Sequence, residues 1–143
     1  MLPAQIGLEI QSVETTEQIL SIQLNTTNPT AKCPLCAQLA SKIQSHCPRK
    51  LADLSWAGYF VHFKLDVRRF WCLNPQCKRR IFCERLDQIT QVYARRTNRL
   101  TQFLQKLALA LGGRPAARLA LKQGVATSSL SERALFWPKG YYL

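Results

Sequence analysis

The sequence predicts an α+β protein in which a small β-rich segment precedes a group of helices. Apolar and polar residues alternate in the first half of the chain, and this period is typical of strands that are buried on one face. After about residue 90 the apolar residues recur at every third or fourth position, which indicates amphipathic helices. Between these regions, four cysteines have the spacing of a metal site.

Three strands are predicted in the first half of the chain. Residues 8–15 and 18–25 alternate, and a short turn near Thr16 joins them into a hairpin. Residues 26–32 contain a proline and form a loop. Aromatic and β-branched residues dominate 58–72, where apolar and charged side chains alternate, so we expect one long half-buried strand there.

Three helices are predicted in the second half. The first has an apolar face with helical spacing, formed by Leu100, Phe103, Leu104, Leu107 and Leu111. Gly112–Gly113 ends this helix. The second begins near Pro115, a residue suited to a first turn, and stops at Gly124. A third is capped by Ser129 and ends before Pro138.

The cysteines form two pairs, Cys33 with Cys36 in "CPLC" and Cys72 with Cys77 in "CLNPQC". Four thiolates suit tetrahedral Zn²⁺, and two such turns brought together by strands make a zinc ribbon. The zinc is expected to be structural, because four thiolates leave no open coordination position. Two disulfides and a thioredoxin-like redox use of "CPLC" are the alternatives; the absence of a signal-peptide pattern and of a βαβ pattern disfavours them.

Cys47 and Cys83 are surplus to this set, and we interpret them as small apolar fillers. His46 and His62 are the alternative ligands. The predicted elements and the cysteine segment divide the chain into an N-terminal β-hairpin (1–30), a zinc-ribbon domain (31–88), a helical helix-turn-helix domain (89–137) and a tail (138–143).

The net charge of +12 is unevenly distributed. Residues 1–31 contain no Lys or Arg, so residues 32–143 carry all 20 basic side chains and only five of the eight acidic ones. Such a surface attracts polyanions, and double-stranded DNA is the predicted partner. An anionic membrane and a merely solvated basic face are the alternatives. No apolar run approaches the roughly 18 residues of a membrane span, and the N-terminus lacks the pattern of a signal peptide, so a cytoplasmic location is expected.

The predicted phosphate contacts flank the second cysteine pair and the entry to the first helix: Arg68, Arg69, Lys78, Arg79, Arg80, Arg95, Arg96 and Arg99. Guanidinium groups bind phosphate oxygens in a bidentate manner. The alternative is that several of these cations pair with acidic side chains of the chain itself, namely Asp53, Asp66, Glu84 and Asp87.

A helix-turn-helix is indicated by Ala120, Gly124, Val125 and Leu130. The small alanine lets two helices cross closely, and the glycine permits a positive φ in the turn. The second helix would then present five polar residues to the major groove: Thr127, Ser128, Ser131, Glu132 and Arg133. An ordinary helical hairpin is the alternative.

The segments "CPLC", "RKLADLSWAG", "VRRFWCLNPQCKRRIFCERL", "YARRTNRL" and "LGGRPAARLA" resemble, in order and spacing, the N-terminal region of ISL-three family transposases of bacterial insertion sequences. The resemblance covers roughly residues 31–136. It implies a zinc finger on Cys33, Cys36, Cys72 and Cys77, then a helix-turn-helix, and binding to terminal inverted repeats. Cys47 stands where the family usually has an aromatic residue.

The resemblance also implies a long carboxylate-triad catalytic domain after the helix-turn-helix, which we expect to be absent here. The eight acidic residues do not form a two-metal triad pattern, so the chain is not expected to be an enzyme. The competing functions are a nuclease or transposase and a zinc-ribbon module for protein interaction or homodimerisation, with the leucines of the first helix as its seam.

Overall fold

The computed structural model of the protein describes residues 7–122. Its elements, in chain order, are β1 (Leu8–Thr15), β2 (Ile19–Thr26), β3 (Ala31–Lys32), β4 (Leu39–Ala40), β5 (Ile43–Trp56), β6 (Tyr59–Trp71), β7 (Ile81–Cys83), α1 (Asn98–Leu111) and α2 (Gly113–Lys122). Most of this range is β-sheet and both helices come late, so the α+β prediction is confirmed.

One five-stranded sheet contains both the N-terminal hairpin and the long strands. The antiparallel hairpin β1–β2 forms as expected, and β2 then pairs in parallel with β6, from Ile19 opposite Phe60 to Asn25 opposite Asp66. The predicted domain boundary after residue 30 therefore falls within a single sheet. The hairpin shares a hydrogen-bonded ladder with β6, which the sequence assigned to the zinc-ribbon domain.

Strand β5 was not predicted, and it supplies the longest ladder of the sheet by pairing antiparallel with β6. The two strands join at Ala57 and Gly58, whose φ values of 50° and 82° suit the two central positions of a tight hairpin turn. On the other side of β6, short strand β7 pairs with residues 69–71, beyond the end of β2. Strand β6 is thus the centre of the sheet.

The main core covers one face of this sheet. Leu24, Leu51, Phe63 and Leu65 are buried there, and Ile89 from the segment after β7 packs against them. The predicted alternation in β6 is confirmed from Val61 to Val67. Phe70 is buried on the opposite face, where it belongs to a separate cluster around the cysteines. The end of β6 therefore leaves the main core and supports a second one.

Helices α1 and α2 pack on each other and on β5. Thr97 caps α1 by accepting a hydrogen bond from the Leu100 N–H. Gly112 ends the helix with a φ of 80°, and this end is the one that the sequence predicts. The buried face of α1 is Leu100, Leu104 and Ala108, which packs against small residues of α2. Two members of the predicted apolar face, Phe103 and Leu111, are instead exposed. The third predicted helix lies outside the described residues.

Candidate metal centre and basic surface

Two loops bring the four cysteines together. Cys33 and Cys36 lie in the turn between β3 and β4, where the Cys33 N–H donates to the Gln38 carbonyl and the Ala37 N–H donates back to the Cys33 carbonyl. Ala37 has a φ of 60°, which closes this turn. This hydrogen-bonded turn presents the sulfurs of Cys33 and Cys36. The other two cysteines lie in a second turn, between β6 and β7.

The second turn is fixed by the asparagine that the sequence places in it. The Asn74 side chain accepts from the Gln76 N–H at 3.0 Å, and its carbonyl accepts from the Cys77 N–H at 3.1 Å. At the base of the loop, the Cys72 N–H donates to the Arg80 carbonyl at 2.8 Å. These bonds hold Cys72 and Cys77 on the same side of the loop despite four intervening residues.

The four sulfurs have the spacing of a tetrahedral metal site. The Sγ atoms of Cys36 and Cys72 are 3.6 Å apart, and those of Cys33 and Cys77 are 4.0 Å apart. All four lie within 4.8 Å of one another. A regular tetrahedron with metal–sulfur distances of about 2.3 Å has its sulfurs about 3.8 Å apart. The four cysteines can therefore hold one metal ion without rearrangement of the loops.

The thiols of the cluster differ in acidity. Burial alone would raise the pKa of Cys33, but N–H groups of its own turn donate to the sulfur and lower the pKa to about 7. A hydrogen bond from the Asn74 N–H lowers the pKa of Cys72, whereas burial and the neighbouring sulfurs raise it, with a result of about 12. Four thiolates crowded together repel one another, and a divalent cation at their centre would remove that repulsion.

A small apolar cluster supports the cysteines. The rings of Phe70 and Phe82 stack with centroids 6.0 Å apart, and both side chains are buried with Cys33 and Cys77. Cys47 and Cys83 lie outside the four-sulfur group. The four predicted ligands thus occupy one site joined to the end of β6.

The two histidines weighed as ligands also lie outside the four-sulfur group. His46 Nδ1 lies 2.8 Å from Asp66 Oδ2 across the β5–β6 ladder. This pair lies on the exposed side of the sheet, so it does not compete for the metal position.

Arg68 is bound within the protein rather than presented to solvent. Its Nε and Nη2 atoms donate to Glu84 at 3.2 and 3.0 Å, and its side chain is 11% exposed while that of Glu84 is 5% exposed. Glu84 also accepts from Thr26, which ties β2 to this pair, and Arg68 lies 5.2 Å above the Phe70 ring. A buried carboxylate therefore already neutralises Arg68, which disfavours the predicted phosphate contact.

Arg99 is also paired. It donates from Nε to both carboxylate oxygens of Asp53, at 2.8 and 3.0 Å, and from Nη2 as well. Burial alone would raise the pKa of Asp53, but Arg99 and Thr97 donate to the carboxylate and hold its pKa below the usual value. Arg99 thus anchors the start of α1 to β5, while 53% of its side chain stays exposed. Its predicted phosphate contact stays a prediction.

The other predicted phosphate contacts in the described range stay accessible. Arg69, Lys78, Arg79, Arg80 and Arg95 are exposed, and none has a carboxylate within 4.0 Å among residues 7–122. Arg96 is partly buried, and burial lowers its pKa. The five predicted base contacts, Thr127, Ser128, Ser131, Glu132 and Arg133, lie outside the described residues.

Two exposed residues next to these cations are absent from the predicted set. Arg85 follows β7 and is exposed. Tyr93 has a φ of 61° and 90% of its surface exposed, in a segment held to the edge of β5 by the hydrogen bond from Ala52 N–H to the Arg95 carbonyl. Arg85 could have been added from the sequence, because it lies in the same basic run as the predicted contacts. The exposure of Tyr93 could not, because it depends on the backbone conformation of that residue.

Fold and site together define a small α+β protein with a cluster of four cysteines that could hold a metal ion and with an exposed basic surface. No family model matches the chain, and no curated protein and no solved structure matches it either. None of the described helices has both the length and the apolar composition to cross a membrane.

Proposed function

We propose that the chain is a DNA-binding region of the kind found at the N-terminus of insertion-sequence transposases, with the terminal inverted repeats of the element as its target. The metal would be Zn²⁺ in a zinc ribbon, because four thiolates are soft ligands that suit a tetrahedral ion. Its role would be structural, since all four coordination positions come from the protein. The resemblance in motif order supports the transposase assignment.

The observation that carries the proposal is the excess of unpaired cations beside the metal centre. Arg69, Lys78, Arg79 and Arg80 lie within three residues of a cysteine of the second turn, and all four are exposed. Three of the described carboxylates are already bound to basic side chains at Arg68, Arg99 and Lys64. The remaining cations are therefore available for an external polyanion, and the phosphate groups of a duplex are anions of the kind that such side chains bind.

The test is a titration of duplex binding against salt concentration. Each phosphate contact releases counterions, so the slope of log K against log salt changes by about 0.9 per contact. Arg79→Gln should flatten this slope by about one unit for inverted-repeat and scrambled duplexes alike. Lys64→Gln is the matched control, because Lys64 is already paired with Glu14 at 3.3 Å and should leave the slope unchanged. Equal effects of both substitutions would contradict the proposed surface.

In this proposal, the segment from Thr127 to Arg133 recognises the base sequence of the DNA. A substitution at a base contact there should weaken binding to the inverted repeat by roughly 1–3 kcal/mol and leave scrambled DNA nearly unaffected. If substitutions in this segment and at Arg79 reduce affinity for every duplex equally, the recognition role is wrong. An electrostatic DNA-binding function would then remain.

The chain by itself is proposed to bind DNA without cutting it. Among residues 7–122 the four cysteines are the single cluster of three or more metal-ligating side chains, and they are thiols rather than the carboxylates that hold Mg²⁺ at a phosphodiester. A supercoiled plasmid incubated with Mg²⁺ and the purified chain should stay intact. Nicking that disappears on substitution of a single Asp or Glu would refute this part of the proposal. Its place of action would be the bacterial cytoplasm, at the nucleoid.

A protein-interaction or homodimerisation module is the second candidate, and exposed apolar residues on the helices favour it. Leu109 is 74% exposed and Leu121 is 56% exposed, with Phe103 and Leu111 also accessible. Two leucines of the seam predicted from the spacing, Leu100 and Leu104, are buried in the cluster that α1 forms with α2. Sedimentation equilibrium of the wild-type chain and of Leu109→Glu tests this candidate. Self-association that the substitution abolishes, without salt-dependent DNA binding, would favour it over the first.

A further inference from the structure

Cys47 and Cys83 do not act as buried fillers; they flank one exposed arginine. Cys83 lies directly opposite Arg69 in the β6–β7 ladder, and Cys47 is next to Arg69 on the other side, where Nη2 of Arg69 lies 3.7 Å from its sulfur. Cys83 is exposed and Cys47 is partly exposed. The Cys83 and Cys47 side chains raise the pKa of Arg69. Arg69 has no carboxylate partner in the described residues, and it thus lies on the strand between those of two accessible thiols, with its guanidinium in contact with Cys47.

We propose that Cys83, with Arg69 beside it, is a modification site for small disulfides that carry carboxylate groups. The thiol supplies the nucleophile. The guanidinium of Arg69 binds the carboxylate of the incoming disulfide, since guanidinium and carboxylate pair in a bidentate geometry.

The reaction is thiol–disulfide exchange. Cys83 loses its proton to water, and its thiolate attacks one sulfur of the small disulfide. The bond between the two sulfurs of the small molecule breaks as a bond from Cys83 to the attacked sulfur forms. The other half leaves as a thiolate and takes up a proton from water. The protein thiol is oxidised and the departing half is reduced, so no further oxidant is needed.

The adduct should persist, because Cys47 cannot displace it. Cys47 lies on β5 and Cys83 on β7, on opposite sides of β6. Two strand spacings of about 4.8 Å separate these strands, whereas two cysteines form a disulfide only when their Cα atoms are within about 7 Å. The structure therefore favours a stable mixed disulfide at Cys83 over an internal Cys47–Cys83 bond.

A mixed disulfide at this position would also affect DNA binding, and this consequence rests on the proposed function. Arg69 is one of the cations proposed to contact phosphate. A carboxylate held beside it would neutralise it, so the slope of log K against log salt should fall by about one contact. The same surface would then bind DNA more weakly in its modified form than in its reduced form.

The experiment uses the full chain purified with its metal, in a Cys47→Ser background that leaves Cys83 as the surplus thiol. Its rate of reaction is measured with dithiobis-nitrobenzoate, a dianionic disulfide, and with dithiodipyridine, a neutral one. A variant lacking both Cys47 and Cys83 gives the background from the four metal-site thiols. Arg69→Gln should lower the ratio of the anionic to the neutral rate about fivefold, a size expected for the loss of one exposed charge a few ångströms away. Arg69→Lys should retain most of the ratio.

The control is Arg118→Gln on α2, which removes an exposed cation from the other end of the chain and should leave the ratio unchanged. A ratio that Arg69→Gln does not alter, or the absence of reaction at Cys83 in the folded protein, would overturn the proposal. The DNA measurement is a separate arm. If the unmodified chain does not bind duplex DNA, the proposed function fails, while the ratio of rates still decides the modification site.

Discussion

Removal of the metal should unfold the cysteine loops and leave the main sheet intact. The perturbation is Cys72→Ser, which deletes one of four ligands, or chelation of the wild-type chain. The sequence suggests that the metal holds residues 31–86 together as one domain. In the structure, however, the main core on β2, β5 and β6 contains none of the four cysteines. Unfolding should therefore be confined to the two cysteine loops with β3, β4 and β7.

The size of the effect follows from what else holds these loops. Their buried apolar side chains are mainly Phe70 and Phe82, since the other members of the cluster are alanines and the cysteines themselves. Two buried phenylalanines contribute about 3–6 kcal/mol, and a structural zinc site contributes roughly 10–16 kcal/mol. The metal is thus the larger stabilising contribution, and the loops should not stay ordered without it.

Amide hydrogen exchange measures this directly. After chelation, the N–H groups of Cys33, Ala37 and Cys72, which are hydrogen-bonded within the loops, should lose protection. Amides of the β5–β6 ladder should keep theirs. Cys47→Ser is the control and should retain the metal and the protection of both regions. Loss of protection throughout β5 and β6, or no change anywhere, would refute the separation of the two cores.

Three further predictions concern stability. Glu84→Gln leaves Arg68 buried without its counter-charge and should lower the free energy of unfolding in urea by about 3–5 kcal/mol. Asp66→Asn, at the exposed pair with His46, should lower it by less than about 1 kcal/mol. Similar losses in the two variants would contradict the stabilising role of the buried pair. The pKa of Asp53 in the folded protein is below its ordinary value of 3.8, so its ion pair stabilises the fold above that pH. The free energy of unfolding should fall as the pH drops through the folded pKa. Asp53→Asn should flatten this decline, which is measured as unfolding midpoints from pH 5 downward. Leu104→Ala should cost about 2–5 kcal/mol by leaving a cavity between α1 and α2, and a cost near zero would mean that the two helices do not form a packed core.

Local patterns account for the elements that the sequence predicted correctly. Alternation in β1, β2 and β6 and the glycine after α1 depend on neighbouring residues, so they could be read without knowledge of the fold. Strand β5 was missed because Pro48 interrupts it and Asp53 occupies a buried position that alternation assigns to an apolar residue. Asp53 is tolerated there because Thr97 and Arg99 come from elsewhere in the chain to bind it.

The sequence alone indicated which four cysteines form the cluster that could hold a metal ion, because the spacing within each cysteine pair is typical of the turn that presents its sulfurs. It also determined the basic excess, which is a property of composition. Only the tertiary structure decided that the N-terminal hairpin joins β6 in parallel, that Arg68 and Arg99 are neutralised by Glu84 and Asp53, and that Arg69 lies between two thiols. Each of these facts depends on contacts between residues that are distant in the chain. A charge's sequence position does not reveal whether such a partner lies beside it.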